Sequence, residues 1–260
     1  MVSASKLAKA ESALERIAAY AGKMEGLVQR VARHLPEDAH PLLATKEEVK
    51  NVLLLPIASD RGLCGAFNLT IAKAAEEFIR ANRERYETIG IYLVGRKIRE
   101  YFKRRRIGTV KEWTDVKTLD AGVVDAIASE VTNLYLDGEY DTVSLIYTHF
   151  RSAVRQEVVV REFIPVTAGE SDETLDYRYE PKMEELIVEL IPRFVRTMIF
   201  FALAESQTSE HAARMAAMEN ATNNSGEMIT HLTLVYNKTR QQSITGEMMD
   251  IVGGAEALST

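Results

Sequence analysis

PKMEELIVELIPRFVRTMIFFALAESQTSEHAARMAAMENATNNSGEMITHLTLVYNKTRQQSITGEMMDIV, residues 181–252, is the stretch whose reading decides the fold. Apolar residues recur in it at helical spacing with almost no stop signal, so it predicts one very long helix. Pro181 suits the first turn, and Glu184 and Glu185 suit the positive N-terminal end of a helix. Pro192 is expected to kink the helix or open it locally. Gly253 and Gly254 are expected to end it. At 1.5 Å per residue such a helix is a rod of about 105 Å, longer than an α/β domain of this size is wide.

A helix of that length needs a partner to bury a face. Met218, Ala221, Ser225, Met228, Leu232, Val235, Thr239, Gln242, Gly246 and Met249 follow alternating three- and four-residue steps, the seam of a coiled coil. Ala212, Ala213, Ala216 and Ala217 lie beside its start and would let a second helix come close. The candidate partner is the chain's own beginning. Leu7, Leu14, Ile17, Met24, Leu27, Val28 and Val31 give residues 1–34 an amphipathic helical pattern, which Pro36 and Pro41 end. Run antiparallel, that helix spans about 50 Å and covers about half of the rod. The far half ends in YNKTRQQSITGEMMDIVGGAEALST (236–260), where the apolar face thins to Ile244, Met248 and Ile251 among Thr, Gln, Ser and Gly. It has no evident partner in the chain.

Between the two helices the pattern alternates. VKNVLLLPIA (49–58), TIGIYLVG (88–95), DTVSLIYTHF (141–150) and QEVVVREFIPV (156–166) read as strands. NLTIAKAAEEFIRANRERY (68–86, with Asn68 as candidate cap), RKIREYFKRRR (96–106) and AGVVDAIASEVTNLYLDG (121–138, closed by Gly138) read as helices. Strand and helix in turn predict a mainly parallel, Rossmann-like sheet covered on both faces. The last two strands are too close for a crossover and should pair antiparallel. The expected fold class is thus α/β with an antiparallel coiled coil of the terminal helices. The expected parts are 1–34, 35–178 and 179–260.

Composition narrows the function. The 260 residues are 46% hydrophobic and 27% charged, with a net charge of −6, which fits a globular protein and argues mildly against a dedicated nucleic-acid binder. No apolar run approaches the ~20 residues that span a bilayer, and the N-terminus has no signal-peptide core. A soluble intracellular protein is expected, held at any membrane by other chains.

The tail segments SEHAARMAAMENATNN (209–224), LVYNKTRQQSIT (234–245) and EMMDIVGGAEAL (247–258), the internal SDRGLCGAFN (59–68) and the opening MVSASKLAKAE (1–11) resemble, in collinear order over nearly the whole chain, the gamma subunit of F-type ATP synthases. One departure is that the family usually carries further residues before the segment matched by Met1. The resemblance and the helix lengths together imply about two dozen residues more at the start of the first helix, so that this chain is a truncated form or has a start codon assigned too late.

The resemblance implies a non-catalytic rotor shaft, without cofactor or metal, turning inside a ring of alpha and beta subunits. It would be driven by a membrane c-ring, bind the epsilon subunit, and lie on the cytoplasmic face of a bacterial plasma membrane. Arg240, Gln241, Thr245 and Glu247 match positions that meet the beta-subunit catch loops. Tyr179 and Glu180 match the foot on the c-ring. Asp60, Arg61, Gly62, Leu63, Cys64 and Gly65 match a structural loop that also meets other subunits. The family's redox-regulated members carry a loop with two cysteines; one cysteine here implies no such switch.

Other readings stay open on the residues themselves. SDRGLCGAFN sits between a strand and a helix, where nucleotide folds hold phosphates, but it is neither G-x-G-x-x-G nor G-x-x-x-x-G-K-[ST]. It reads better as a tight turn, with Asp60 and Arg61 either paired locally or simply solvated. GRKIREYFKRRR (95–106) has seven basic residues in twelve, an RNA-binding patch or a solvated or lipid-facing helix surface. His34, His40, His149, His211 and His231 have no metal-ligand spacing. An α/β nucleotide enzyme with a helical arm and a coiled-coil scaffold are therefore the alternatives to the shaft.

Overall fold

The computed structural model describes residues 2–46, 48–116, 121–167, 180 and 182–258. Its elements are α1 (Val2–Arg33), β1 (Asn51–Pro56), α2 (Phe67–Asn82), β2 (Thr88–Val94), α3 (Arg96–Arg104), β3 (Lys111–Trp113), α4 (Ala121–Leu136), β4 (Thr142–Phe150), β5 (Gln156–Ile164) and α5 (Met183–Leu258). They divide into two compact units, 1–215 and 216–260.

In the first unit the sheet order is β3-β2-β1-β4-β5. Every pairing is parallel except β4 with β5, which is antiparallel. Val52 and Leu54 of β1 point to one face, against Ile71, Ala75, Ile98 and Phe102 of α2 and α3. Leu53 and Leu55 point to the other, against α1, α4 and α5. Both faces are covered, which is why the central strands are apolar without alternation.

α1 and α5 run antiparallel. Val28 and Val31 share a core with Ile187, Ile191 and Val195, whereas Lys6 lies in a crevice with Glu210 and His211. This is the expected helix pair. Its apolar teeth Leu7, Leu14, Met24, Val28 and Val31 are buried.

Several local expectations need correction. Gly253 and Gly254 do not end the long helix, which continues to Leu258. A glycine costs a helix roughly 1 kcal/mol but stops it only where the chain takes up a left-handed cap. α5 is also continuous through Pro192, with Glu184 and Glu185 in its first turn as expected; Pro181 lies outside the described residues. The short edge strand β3 gave no sequence signal, because three residues with two exposed carry no periodicity. Asn68 does not cap α2, which starts at Phe67 with Ala66 before it. Its side chain has another use, described below. Gly138 closes α4 in the left-handed conformation, φ 76°.

Candidate functional site

Two regions carry the candidate residues: the loop 59–68 in the first unit, and the helix beyond residue 215 in the second.

The loop leaves the C-terminal end of β1. The Asn68 side chain braces it: the Ser59 amide donates to Oδ1 at 2.9 Å, and Nδ2 donates to the Arg61 carbonyl at 3.2 Å and to Cys64 Sγ at 3.1 Å. Ser59 Oγ donates to the same Arg61 carbonyl at 2.7 Å. Leu63 and Gly65 adopt φ near +60°, the conformation that lets the chain reverse within so few residues. Leu63 stands outward, 75% exposed, while Cys64 is buried. Burial pushes the Cys64 thiol pKa up, against a lowering hydrogen bond from Ser59; this suits a packed thiol rather than a reactive one.

Asp60 and Arg61 are not paired with each other. Among the described residues Asp60 instead accepts the Arg96 amide at 2.9 Å, taking the place of an N-cap for α3, whose own capping residue is Gly95. Gly95 has φ 112°, and a side chain there would come within 2.4 Å of the Ala58 carbonyl. The turn is a brace between β1, α2 and α3.

In open α/β sheets, ligands bind in the crevice outside the C-terminal ends of the strands, where the strand order reverses. Here that point lies between β1 and β4, and α5 crosses it. Ser206 Oγ donates to the Ile57 carbonyl just past β1 at 2.9 Å, and Ser209 Oγ donates to the Thr148 carbonyl of β4 at 3.2 Å. A crevice of about 440 Å³ remains, walled on one side by Asp60 and Arg61 and on the other by α5 residues including Gln207 and His211. The fold has given the ligand end of its sheet to its own helix. Beside this point His149 meets both oxygens of buried Glu205 at 2.8 and 2.9 Å. Burial raises the Glu205 carboxyl above its ordinary range, against the pull of His149. This pair was invisible in the sequence, being 56 residues apart with no motif to link its members.

The basic helix is partly neutralised. Arg96 pairs with Asp115, Lys97 with Glu100, Arg99 with Glu112 and Arg105 with Glu76. Arg105 also lies 3.7 Å over the Tyr101 ring. Four of the seven basic side chains are thus paired, three of them with residues outside the helix, while Lys103, Arg104 and Arg106 are exposed.

In the second unit, α5 continues as a single helix in which every residue from Glu219 to Ala255 is exposed. Met228, Leu232, Val235 and Met249 of the expected seam stand open to solvent, with Ile229, Leu234, Tyr236, Ile251 and Val252 around them. Arg240, Gln241, Thr245 and Glu247 fall in two adjacent turns of this segment. Glu247 accepts from Ser243 at 3.4 Å, and Thr245 Oγ1 donates to its own helix at the Gln241 carbonyl. Of the other expected pair, Glu180 is exposed and Tyr179 lies outside the described residues.

This geometry defines a class of protein in which an α/β domain carries a long helix that continues, exposed, beyond it in sequence. A family model described as ATP synthase matches residues 1–258. A gamma chain of the ATP synthase of Anaeromyxobacter sp. (strain Fw109-5) is 44% identical over 266 residues, covering 99% of this chain and 91% of the relative. The gamma chain of Syntrophus aciditrophicus is 41% identical, covering 100% and 91%. Among solved structures, a chain of the Euglena gracilis mitochondrial ATP synthase superposes with a TM-score of 0.63 at 18% identity, covering 99% of this chain and 93% of that one. A chain of the Tetrahymena thermophila central stalk and c-ring gives 0.61 at 24% identity, covering 85% and 100%; at these identities the likeness is one of fold. The chain belongs to the ATP synthase gamma chain family. Among its described residues no helix is long and apolar enough to cross a membrane.

Proposed function

We propose that this chain is the rotor shaft that couples ion flow through a membrane c-ring to ATP synthesis or hydrolysis in a ring of alpha and beta subunits. The observation that carries the reading is the helix from Glu219 to Ala255, exposed throughout yet studded with large apolar side chains. A single helix of this length gains nothing in water from exposing leucine, methionine and tyrosine; such a surface fits burial in a partner.

Arg240, Gln241, Thr245 and Glu247 are the residues we assign to the beta-subunit catch loops. A tip that must pass three equivalent positions works best with a few polar, charge-assisted contacts, because a deep apolar lock would trap one angle. Glu180, with Tyr179, is assigned to the foot on the c-ring, and the loop Asp60–Gly65 to a brace with exposed Leu63 as its subunit-contact point. In this division of labour 1–34 and 179–260 make the shaft and 35–178 carries the foot and the epsilon subunit. The complex would place the chain on the cytoplasmic face of a bacterial plasma membrane.

Reconstitution tests this. Mixed with cognate alpha and beta subunits, the chain should yield one complex of defined size that hydrolyses ATP. A chain that stays free while the ring forms without it would refute the shaft reading.

A further inference from the structure

The last turns of α5 in the first unit are unusual in composition. From Ile187 to Leu203 the buried face is almost wholly apolar, but Glu205, Ser206, Thr208 and Ser209 are polar and at most 3% exposed. Apolar contact alone would hold a helix here at less cost, since buried polar groups must be matched. Apolar contact is also non-directional, so it resists a small rotation of the helix about its own axis only weakly. A hydrogen bond to a fixed carbonyl constrains both angle and register.

We propose that Ser206, Ser209 and Arg214 form a torsional clamp that fixes the angle of α5 against the sheet, so that twist applied to the α/β domain reaches the shaft with little lost motion. Each donates to a backbone carbonyl: Ser206 to Ile57 at 2.9 Å, Ser209 to Thr148 at 3.2 Å, and Arg214 to Gly62 at 3.1 Å. The bonds span about 12 Å of helix, at 1.5 Å per residue, and end on strand β4, on the residue just past β1 and on one loop. Their acceptors are themselves stiff. The Ile57 amide is bonded to the Ile146 carbonyl and the Ala58 amide to the Val94 carbonyl, both at 2.8 Å. Gly62 lies in the turn that Asn68 and Asp60 brace. Arg214 is held toward its target by Glu210 at 2.6 Å. The clamp stands at the end of the sheet-bound part of α5, just before the helix becomes exposed from Glu219 onward.

The inference rests on the shaft reading and is tested in the assembled complex. Val154, 97% exposed on the β4–β5 turn, is replaced (V154C) to carry a bead. With the rotor paused, the angular variance of the bead reports torsional stiffness. The double variant S206A/S209A should increase that variance roughly twofold: losing two of three parallel tethers raises the clamp's own share about threefold, and the unchanged compliance of the shaft in series dilutes this. R214Q, which leaves the buried packing alone, should increase it less, and T70A on α2 should leave it at the parent value. If S206A/S209A fails to assemble, R214Q decides alone. A variance equal to the parent's in R214Q and in any assembled double variant overturns the clamp while the shaft stands. A parent complex whose bead never turns with ATP overturns the shaft reading and the clamp with it.

Discussion

Leu190 and Leu232 lie on the same helix and should respond in opposite ways to the same substitution. Leu190 packs in the core of the first unit and is 7% exposed, whereas Leu232 is 57% exposed. Leu190→Ala deletes buried methyl groups and leaves a cavity, which costs about 2–5 kcal/mol of folding stability. Leu232→Ala removes surface already in water, and leucine and alanine are both good helix formers, so the isolated chain should change by less than about 0.5 kcal/mol. In the complex the ranking changes. The open part of Leu232 is on the order of 100 Å², and burying it is worth about 2.5 kcal/mol at 25 cal/mol per Å². Alanine keeps about a third of that area, so the loss on assembly should be about 1.5 kcal/mol, roughly tenfold in affinity. Urea unfolding of the isolated chain, followed by far-ultraviolet circular dichroism, measures the first effect. Titration of labelled chain into the alpha–beta ring measures the second. If Leu232→Ala destabilises the free chain as much as Leu190→Ala, the helix has a partner within the chain. If it leaves assembly untouched, that face meets no partner; either result refutes the reasoning.

Replacing Arg240 and Gln241 together by Leu and Ala should leave the folding of the isolated chain unchanged but lower ATP turnover or assembly of the complex; normal turnover in the assembled complex would remove both residues from the bearing surface. Gly95→Ala should destabilise the first unit by about 2 kcal/mol or more in chemical unfolding, because φ 112° and a 2.4 Å approach to the Ala58 carbonyl both oppose a side chain. Asp141 is the third case. Burial pushes its carboxyl up, but Lys46 and the amides of Asn51 and Lys50 outweigh that, and its pKa is lowered. A lowered native pKa gives stability that is present above the ordinary aspartate range and lost as pH falls through the native value. Asp141→Asn should therefore cost about 1–3 kcal/mol at neutral pH, with the difference from the parent shrinking on acidification below pH ~4; a gap independent of pH would show that the charge is not what matters.

How much of this was legible depended on the range over which each feature is encoded. The long helices and the β1, β2, β4 and β5 strands have periodic or continuous apolar patterns, so they could be read in place. The partnerless stretch followed from comparing two helix lengths. Asn68 misled because a residue type that favours caps also suits bracing a loop, and only the position of Ser59 decides which. Gly253 and Gly254 misled because glycine permits a stop without compelling one. The links from α5 to Ile57, Thr148 and Gly62 were out of reach. They join a side chain to a backbone carbonyl far away in sequence, and a carbonyl has no residue type. For the tip residues Arg240, Gln241, Thr245 and Glu247 only the family resemblance pointed to a role, since in the chain alone they are exposed side chains on an exposed helix.

The most direct measurement of the central claim is rotation itself. The alpha–beta ring is fixed to a surface, the chain is labelled at residue 154 with a bead, and the bead is watched as ATP is added. The shaft account predicts continuous turning in one direction with three evenly spaced dwells per revolution. A complex that hydrolyses ATP at its full rate while the bead only fluctuates about one angle would contradict it.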